Sequence, residues 1–161
     1  MQYRQRSQVN FKPSIKTIKI IHMALLAGQC IFAGAVLFLR QKKDQQSITD
    51  QSVFLIVAVA LAAIGFFVGN LLYKQMVAKA LTKETFTEKI ATYQSGMIIR
   101  CASAEGPALF NIVCFFLTGN YIFMGILAVL LAYFLSIRPT LDGIADALQL
   151  TYEEKAELER G

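Results

Sequence analysis

At 161 residues the chain is about one domain long. Apolar residues make up 55% of it, and they arrive in long uninterrupted blocks, which excludes an ordinary soluble domain. The net charge of +5 is carried mainly by residues flanking those blocks, without the interleaved aromatics of a base-stacking surface, so no nucleic-acid partner is expected.

A hydrocarbon core of about 30 Å takes about 20 helical residues to cross. Four blocks answer to that length: Ile20–Leu39, Val53–Tyr73, Met97–Thr118 and the shorter Tyr121–Ile137. The expected fold is therefore all-α, a polytopic four-transmembrane-helix bundle over 20–137. It is preceded by a basic tail, 1–19, and followed by a segment, 138–161, that holds a short helix.

In chain order, the polar tail leads into the first span through Lys16 and Lys19. That span resembles a signal peptide in its basic approach, but its apolar run is too long and ends in Arg40-Gln41-Lys42-Lys43 without a small-residue cleavage site. A permanent span is expected, followed by a polar loop over Gln41–Gln51. The second span carries Ala58, Ala62, Gly65 and Gly69 at spacings of four, three and four. Such a stripe lets helix backbones approach closely in lipid, within a chain or between copies. Thr85-x-x-Glu88 forms a capping box, so the third helix is expected to begin about three turns before Met97, as a solvated stalk or a docking surface. Gly119-Asn120 leaves two residues to join the third and fourth spans in a tight antiparallel hairpin. Arg138-Pro139 ends the fourth, and Thr151-x-x-Glu154 caps the last helix.

The tail, the loop between spans two and three, and the C-terminal segment hold twelve lysines and arginines, against three on the opposite side. That asymmetry predicts cytoplasmic N- and C-termini, in a multi-pass protein of the bacterial inner-membrane type.

Of the eleven acidic residues, ten fall outside the spans; Glu105 does not. It lies about 12 Å inside the third span, where a charge costs several kcal/mol unless it is paired, protonated or reached by water. Pro107 cannot donate to the carbonyl of Ser103, leaving that oxygen free near Glu105. A carboxylate and a freed carbonyl suit a proton or a monovalent cation; a proline kink that serves packing is the structural alternative. At 100° per residue, Gly96, Arg100, Ser103, Pro107, Asn111, Cys114 and Thr118 form one small-and-polar stripe, with Glu105 about 140° from Arg100. Glu105 should thus face another helix, another subunit or lipid.

Other intramembrane polar groups are His22, Gln29, Asn70 and Tyr133. His22 could share a proton with Glu105, although a histidine two residues into a span commonly sits among headgroups. Arg100 can reach lipid phosphates. Cys30, Cys101 and Cys114 read as apolar fillers. No nucleophile elbow, phosphate-cradling loop, metal motif or catalytic carboxylate pair is present, so neither an enzyme nor a cofactor or metal is expected; a membrane-embedded enzyme using His22 and Glu105 is a remote third reading.

Spans two and three also resemble the hairpin of rotary-ATPase proteolipids, the c-ring subunits, over about 58–118. Ala62-Ala63-Ile64-Gly65-x-x-Val68-Gly69-Asn70 is similar to the family's first helix, and Glu105-Gly106-Pro107-Ala108-Leu109-Phe110 to the run that follows its essential carboxylate. The resemblance implies that Glu105 binds the ion and that Asn70 stands where a glutamine ligand often sits. The family's longer glycine stripe and its Arg-Gln-Pro loop signature are missing, and spans one and four have no counterpart in a simple hairpin. Two functions are carried forward: an oligomeric ion- or proton-handling protein centred on Glu105, or an accessory subunit that packs into a larger membrane complex through its small-residue faces.

Overall fold

Phe86–Thr118, the longest helix, runs unbroken through Pro107 and forms the axis around which the others assemble. The computed structural model describes residues 15–41 and 51–160. The tail before Ile15 and most of the expected polar loop, 42–50, lie outside the described residues. Six helices appear in order among those described: α1 (Ile15–Gln41), α2 (Ser52–Leu81), α3 (Phe86–Thr118), α4 (Ile122–Ser136), α5 (Leu141–Ala147) and α6 (Tyr152–Arg160). No strand occurs among the described residues.

Three of these helices, α1, α2 and α3, are long and apolar enough to cross a membrane. The fourth differs from the expected span. With 15 residues, α4 reaches only about 22 Å at 1.5 Å per residue, short of the hydrocarbon core. Pro139 sets its limit, because the residue before a proline is pushed out of the helical region. The chain then bends by 75° into α5, so α4 and α5 make up at most one broken span.

The widest interface is that of α2 with α3, and it is built on missing side chains. A Cβ placed on Gly65 would collide with the carbonyl oxygen of Ser103 and lie 2.9 Å from Pro107 Cγ. One on Gly69 would come within 2.8 Å of Ser103 Cβ, and one on Gly96 within 2.8 Å of Met76 Cβ. The Ser103 carbonyl is the one that Pro107 deprives of its helical donor. It therefore packs on the bare Cα of Gly65, where the crossing is closest. Ala58 and Gly69 are buried in the same interface, so the small-residue stripe of α2 is occupied within the chain.

Both capping threonines act as their sequences predict, the Thr151–Glu154 box closing in both directions and the Thr85 one through its hydroxyl alone. The Thr85 hydroxyl accepts from Glu88 N at 3.3 Å, and the Thr151 hydroxyl from Glu154 N at 3.3 Å while Glu154 accepts in return from Thr151 N at 2.9 Å. The Gly119-Asn120 link closes with Gly119 at φ 69, the left-handed conformation that a glycine adopts without strain, and its N–H donates to Phe115 O at 2.8 Å. Asn120 in turn donates to the Gln51 side chain at 2.7 Å, and the Arg40 guanidinium lies against Gly119. The end of α1, the start of α2 and the α3–α4 turn thus meet at one end of the bundle.

At the other end the structure corrects the solvated stalk. Ile90 and Tyr93, on the extension of α3, are buried with Ile18, Ala80, Phe134, Ile144, Leu148 and Leu158. The C-terminal helices α5 and α6 cover the extension, fastened by Lys89–Glu154 at 2.9 Å and Lys155–Asp142 at 2.8 Å. The Lys89 ammonium beside Glu154 and that of Lys155 beside Asp142 hold both carboxyls below their ordinary values.

The glycine contact makes a directional prediction. Replacing Gly65 with alanine should lower the thermal midpoint in detergent, by an amount worth roughly 1–3 kcal/mol of overpacking. Gly106, with nothing within 4 Å of a added Cβ, should accept alanine with a gain of about 0.5–1 kcal/mol.

Candidate functional site

Membrane helices bury polar side chains only at a cost, and four are almost wholly enclosed here: His22 at 3% exposure, Gln29 at 1%, Asn111 at 0% and Thr118 at 2%. Their local chemistry differs. Thr118 donates to Cys114 O at 2.7 Å and Asn111 to Pro107 O at 2.9 Å, each bonding back to its own helix one turn earlier. His22 stacks on Phe134, with ring centroids 4.5 Å apart, and its Nδ1 lies 3.6 Å from Cys101 Sγ. Four buried atoms find no hydrogen-bond partner among the described residues: His22 Nε2, both polar atoms of the Gln29 side chain, and Asn111 Oδ1.

The relative levels of these groups follow from helix register. His22 meets Cys101 79 positions later in the chain, and Arg40 meets Gly119 at the same offset. The two helices α1 and α3 therefore run parallel and in step between those contacts. Gln29 stands level with Ala108, between Glu105 and Asn111. From the level of Cys101 to Asn111 the unpartnered groups cover about 15 Å of helix.

Glu105 sits at the border of this region. It is half-buried, between covered Ala104 and exposed Gly106, with exposed Ala102 one turn before it. Its neighbour one turn back, Cys101, is the residue that touches His22. Around α3 it lies about 40° from Cys101, on the flank toward open space. Gly106, about 100° further round, has nothing within 4 Å of an added Cβ, so α3 is open on that side of Glu105. The small-and-polar stripe on the other side of α3 faces α2 and the interior: Gly96, Pro107, Asn111, Cys114 and Thr118 are all buried.

The remaining sequence candidates form a separate cluster. Asn70 Nδ2 donates to the Tyr133 hydroxyl at 2.8 Å and to Phe66 O at 2.8 Å. Arg100 Nε donates to the same hydroxyl at 3.3 Å, with its guanidinium 4.7 Å from the centre of the Tyr73 ring. Asn70 and Tyr133 are thus joined to Arg100 on the α2 side of α3, whereas Glu105 looks toward the α1 flank. Ser103 gives its hydroxyl to Ile99 O at 2.8 Å and its carbonyl to the glycine crossing. His22 is buried inside the bundle, stacked on Phe134 and level with Cys101, rather than exposed on its outer surface. Sequence reasoning did not single out Asn111 as a functional candidate, although its place on the polar stripe, one turn after Pro107, marked it. No group of histidine, cysteine or acidic side chains suited to a metal ion occurs among the described residues.

No protein-family model, curated protein or solved structure matches the chain.

An unpartnered amide in an apolar interior is destabilising by roughly 1–3 kcal/mol relative to an apolar group of the same shape. Gln29→Met, which keeps length and removes both polar atoms, should therefore raise the thermal midpoint. A midpoint that falls instead would show that the amide is fully bonded in the membrane-embedded protein.

Proposed function

We propose that this chain is a multi-pass membrane protein that handles protons or monovalent cations through Glu105. The observation that carries the reading is the coincidence of level. A half-buried carboxyl without a protein hydrogen bond or ion pair among the described residues stands within one turn of Gln29 and of the His22–Cys101 contact. A carboxyl in that position needs a proton, a cation or water to be tolerated. The orphan nitrogen of His22, the amide of Gln29 and the amide oxygen of Asn111 offer donors and acceptors at successive depths, the kind of lining along which a proton or a dehydrated cation passes. His22 can take or give a proton at Nε2, while Gln29 and Asn111 can solvate a cation but not exchange protons at ordinary pH.

In this reading the chain crosses four times, with the short α4 as the last span, α5 lying against the α3 extension outside it, and both termini on the cytoplasmic side. Access to Glu105 is then from the cytoplasmic half of the bilayer, through the α1–α3 seam. The likeness of its Glu105-Gly106-Pro107 run to that of the proteolipids is in keeping with ion binding, and an assembly of several copies would cover the open flank beside Gly106. The accessory-subunit reading draws less support. The glycine stripe on which it relied is used between α2 and α3 of one chain.

The experiment is ion flux in proteoliposomes, followed with a pH-sensitive dye under imposed proton, sodium or potassium gradients. Glu105→Gln should reduce the flux by about 100-fold, the scale on which a positioned proton-transfer group acts, with unchanged helical content and thermal midpoint. A variant that keeps its flux, or a wild-type protein no more conductive than empty vesicles, overturns the proposal.

A further inference from the structure

The cluster around Arg100 has chemistry of its own. A cavity of about 540 Å³ opens between α2 and α4, with Arg100 of α3 at its back. Its polar end holds Arg100, Lys74 and the bonded pair Asn70–Tyr133; its apolar end is formed by Phe66, Phe67 and Leu71. Apart from the Asn70 amide oxygen, the groups left over at the polar end are donors. Arg100 spends one N–H, on Nε, leaving the four of its terminal nitrogens for another acceptor. The Tyr133 oxygen already accepts from Asn70 and Arg100, so its own hydrogen is left to donate elsewhere. Lys74 adds three more donors. Neither Arg100 nor Lys74 is engaged by a carboxylate among the described residues.

Depth identifies the occupant. Lys74 is the first charge after the apolar run Val53–Tyr73, and Arg100 lies three residues inside the run that opens at Met97. Both cations therefore stand where hydrocarbon gives way to headgroups, at the end of the bundle nearest the α2–α3 loop. The apolar walls below them are open to the outside: Phe67 is 70% exposed and Leu71 56%. Two positive charges at the headgroup level, one of them held in place, above a bare aromatic wall at the acyl level, match one kind of molecule. The Arg100 plane is held in advance between Tyr73, at 4.7 Å, and Tyr133, at 5.9 Å, so little side-chain freedom is lost on binding.

We infer that the groove between α2 and α4 binds an anionic phospholipid, its phosphate on Arg100, Lys74 and the Tyr133 hydroxyl and an acyl chain along Phe66, Phe67 and Leu71. The site is independent of Glu105, on the opposite side of α3. A lipid held there ties α2, α3 and α4 together at the end of the bundle where α4 is short.

The test uses the full chain in zwitterionic detergent, titrated separately with phosphatidylglycerol, phosphatidylcholine and inorganic phosphate. The readouts are retained lipid by native mass spectrometry and the thermal midpoint. Phosphatidylglycerol should be retained in a 1:1 complex and raise the midpoint, while phosphatidylcholine and inorganic phosphate should do neither. Lys74→Gln, at an exposed position with no bond to lose, should weaken phosphatidylglycerol binding about fivefold, and Arg100→Gln by at least as much. Equal retention of both lipids, a full shift with inorganic phosphate alone, or phosphatidylglycerol affinity unchanged in Lys74→Gln overturns the inference. Because Lys74→Gln leaves the Tyr73 and Tyr133 contacts intact, the test stands even where Arg100→Gln fails to fold.

Discussion

The fold depends on a carbonyl meeting a glycine. Pro107 removes the donor that would have satisfied the Ser103 oxygen, and the α2 backbone comes close enough at Gly65 to receive that oxygen only because no Cβ intervenes. In water the freed carbonyl would be solvated at little cost. In lipid it must be covered by protein, which makes the proline on α3 and the glycines on α2 parts of one device. The contact also sets the rotation of α3. With Ser103 and Pro107 turned to α2, Arg100 is directed to the α2–α4 groove, and Glu105 to the flank beside α1. One close approach thereby separates the two charged groups of α3 and gives them different neighbours.

The second constraint is the in-step pairing of α1 with α3. Contact at His22–Cys101 and again at Arg40–Gly119 keeps polar side chains of two helices at matched depths across the bundle. Purely apolar residues at His22, Gln29 and Asn111 would pack with fewer unmet hydrogen bonds, so these positions work against stability. Proteins tolerate such groups in lipid where they line a pathway or bind a solute. The glycine crossing and the C-terminal clasp of α5 and α6 on α3 supply packing that can carry that cost, as do the apolar contacts of Ala33 and Val36 on α1 with Ala108 and Ile112 on α3.

Much of the architecture was legible in the sequence because its signals are local. The apolar blocks marked α1, α2 and α3; Thr85-x-x-Glu88 and Thr151-x-x-Glu154 marked two helix starts; and Gly119-Asn120 marked the hairpin. The polar stripe of α3 could be drawn at 100° per residue and faces the interior as drawn. Less legible were features set by tertiary contact. Helix α2 continues past Lys74 to Leu81, because Gln75, Met76, Ala78 and Ala80 are good helix formers and hydropathy alone does not register them. The burial of His22 and of the α3 extension depends on Phe134 and on α5 and α6, which come from far along the chain. The separation of Asn70 from Glu105 was likewise invisible to motif reading, since it follows from the rotation of α3 against α2. Glu105 stands out in the sequence as the one acidic residue within an apolar run, whereas the groove at Arg100 required the tyrosines of two other helices to be placed.

If Glu105 lies in the hydrocarbon layer, on the flank of α3 that opens beside Gly106, its carboxyl is reached from lipid and not from bulk water. The most direct measurement is carbodiimide modification of the reconstituted protein, mapped residue by residue by mass spectrometry. A membrane-permeant hydrophobic carbodiimide should modify Glu105 ahead of every other carboxyl, while a water-soluble one should modify Glu84 and Glu153 and leave Glu105 untouched. Equal modification of Glu105 and Glu84 by the water-soluble reagent would place that side chain in bulk water and contradict the account.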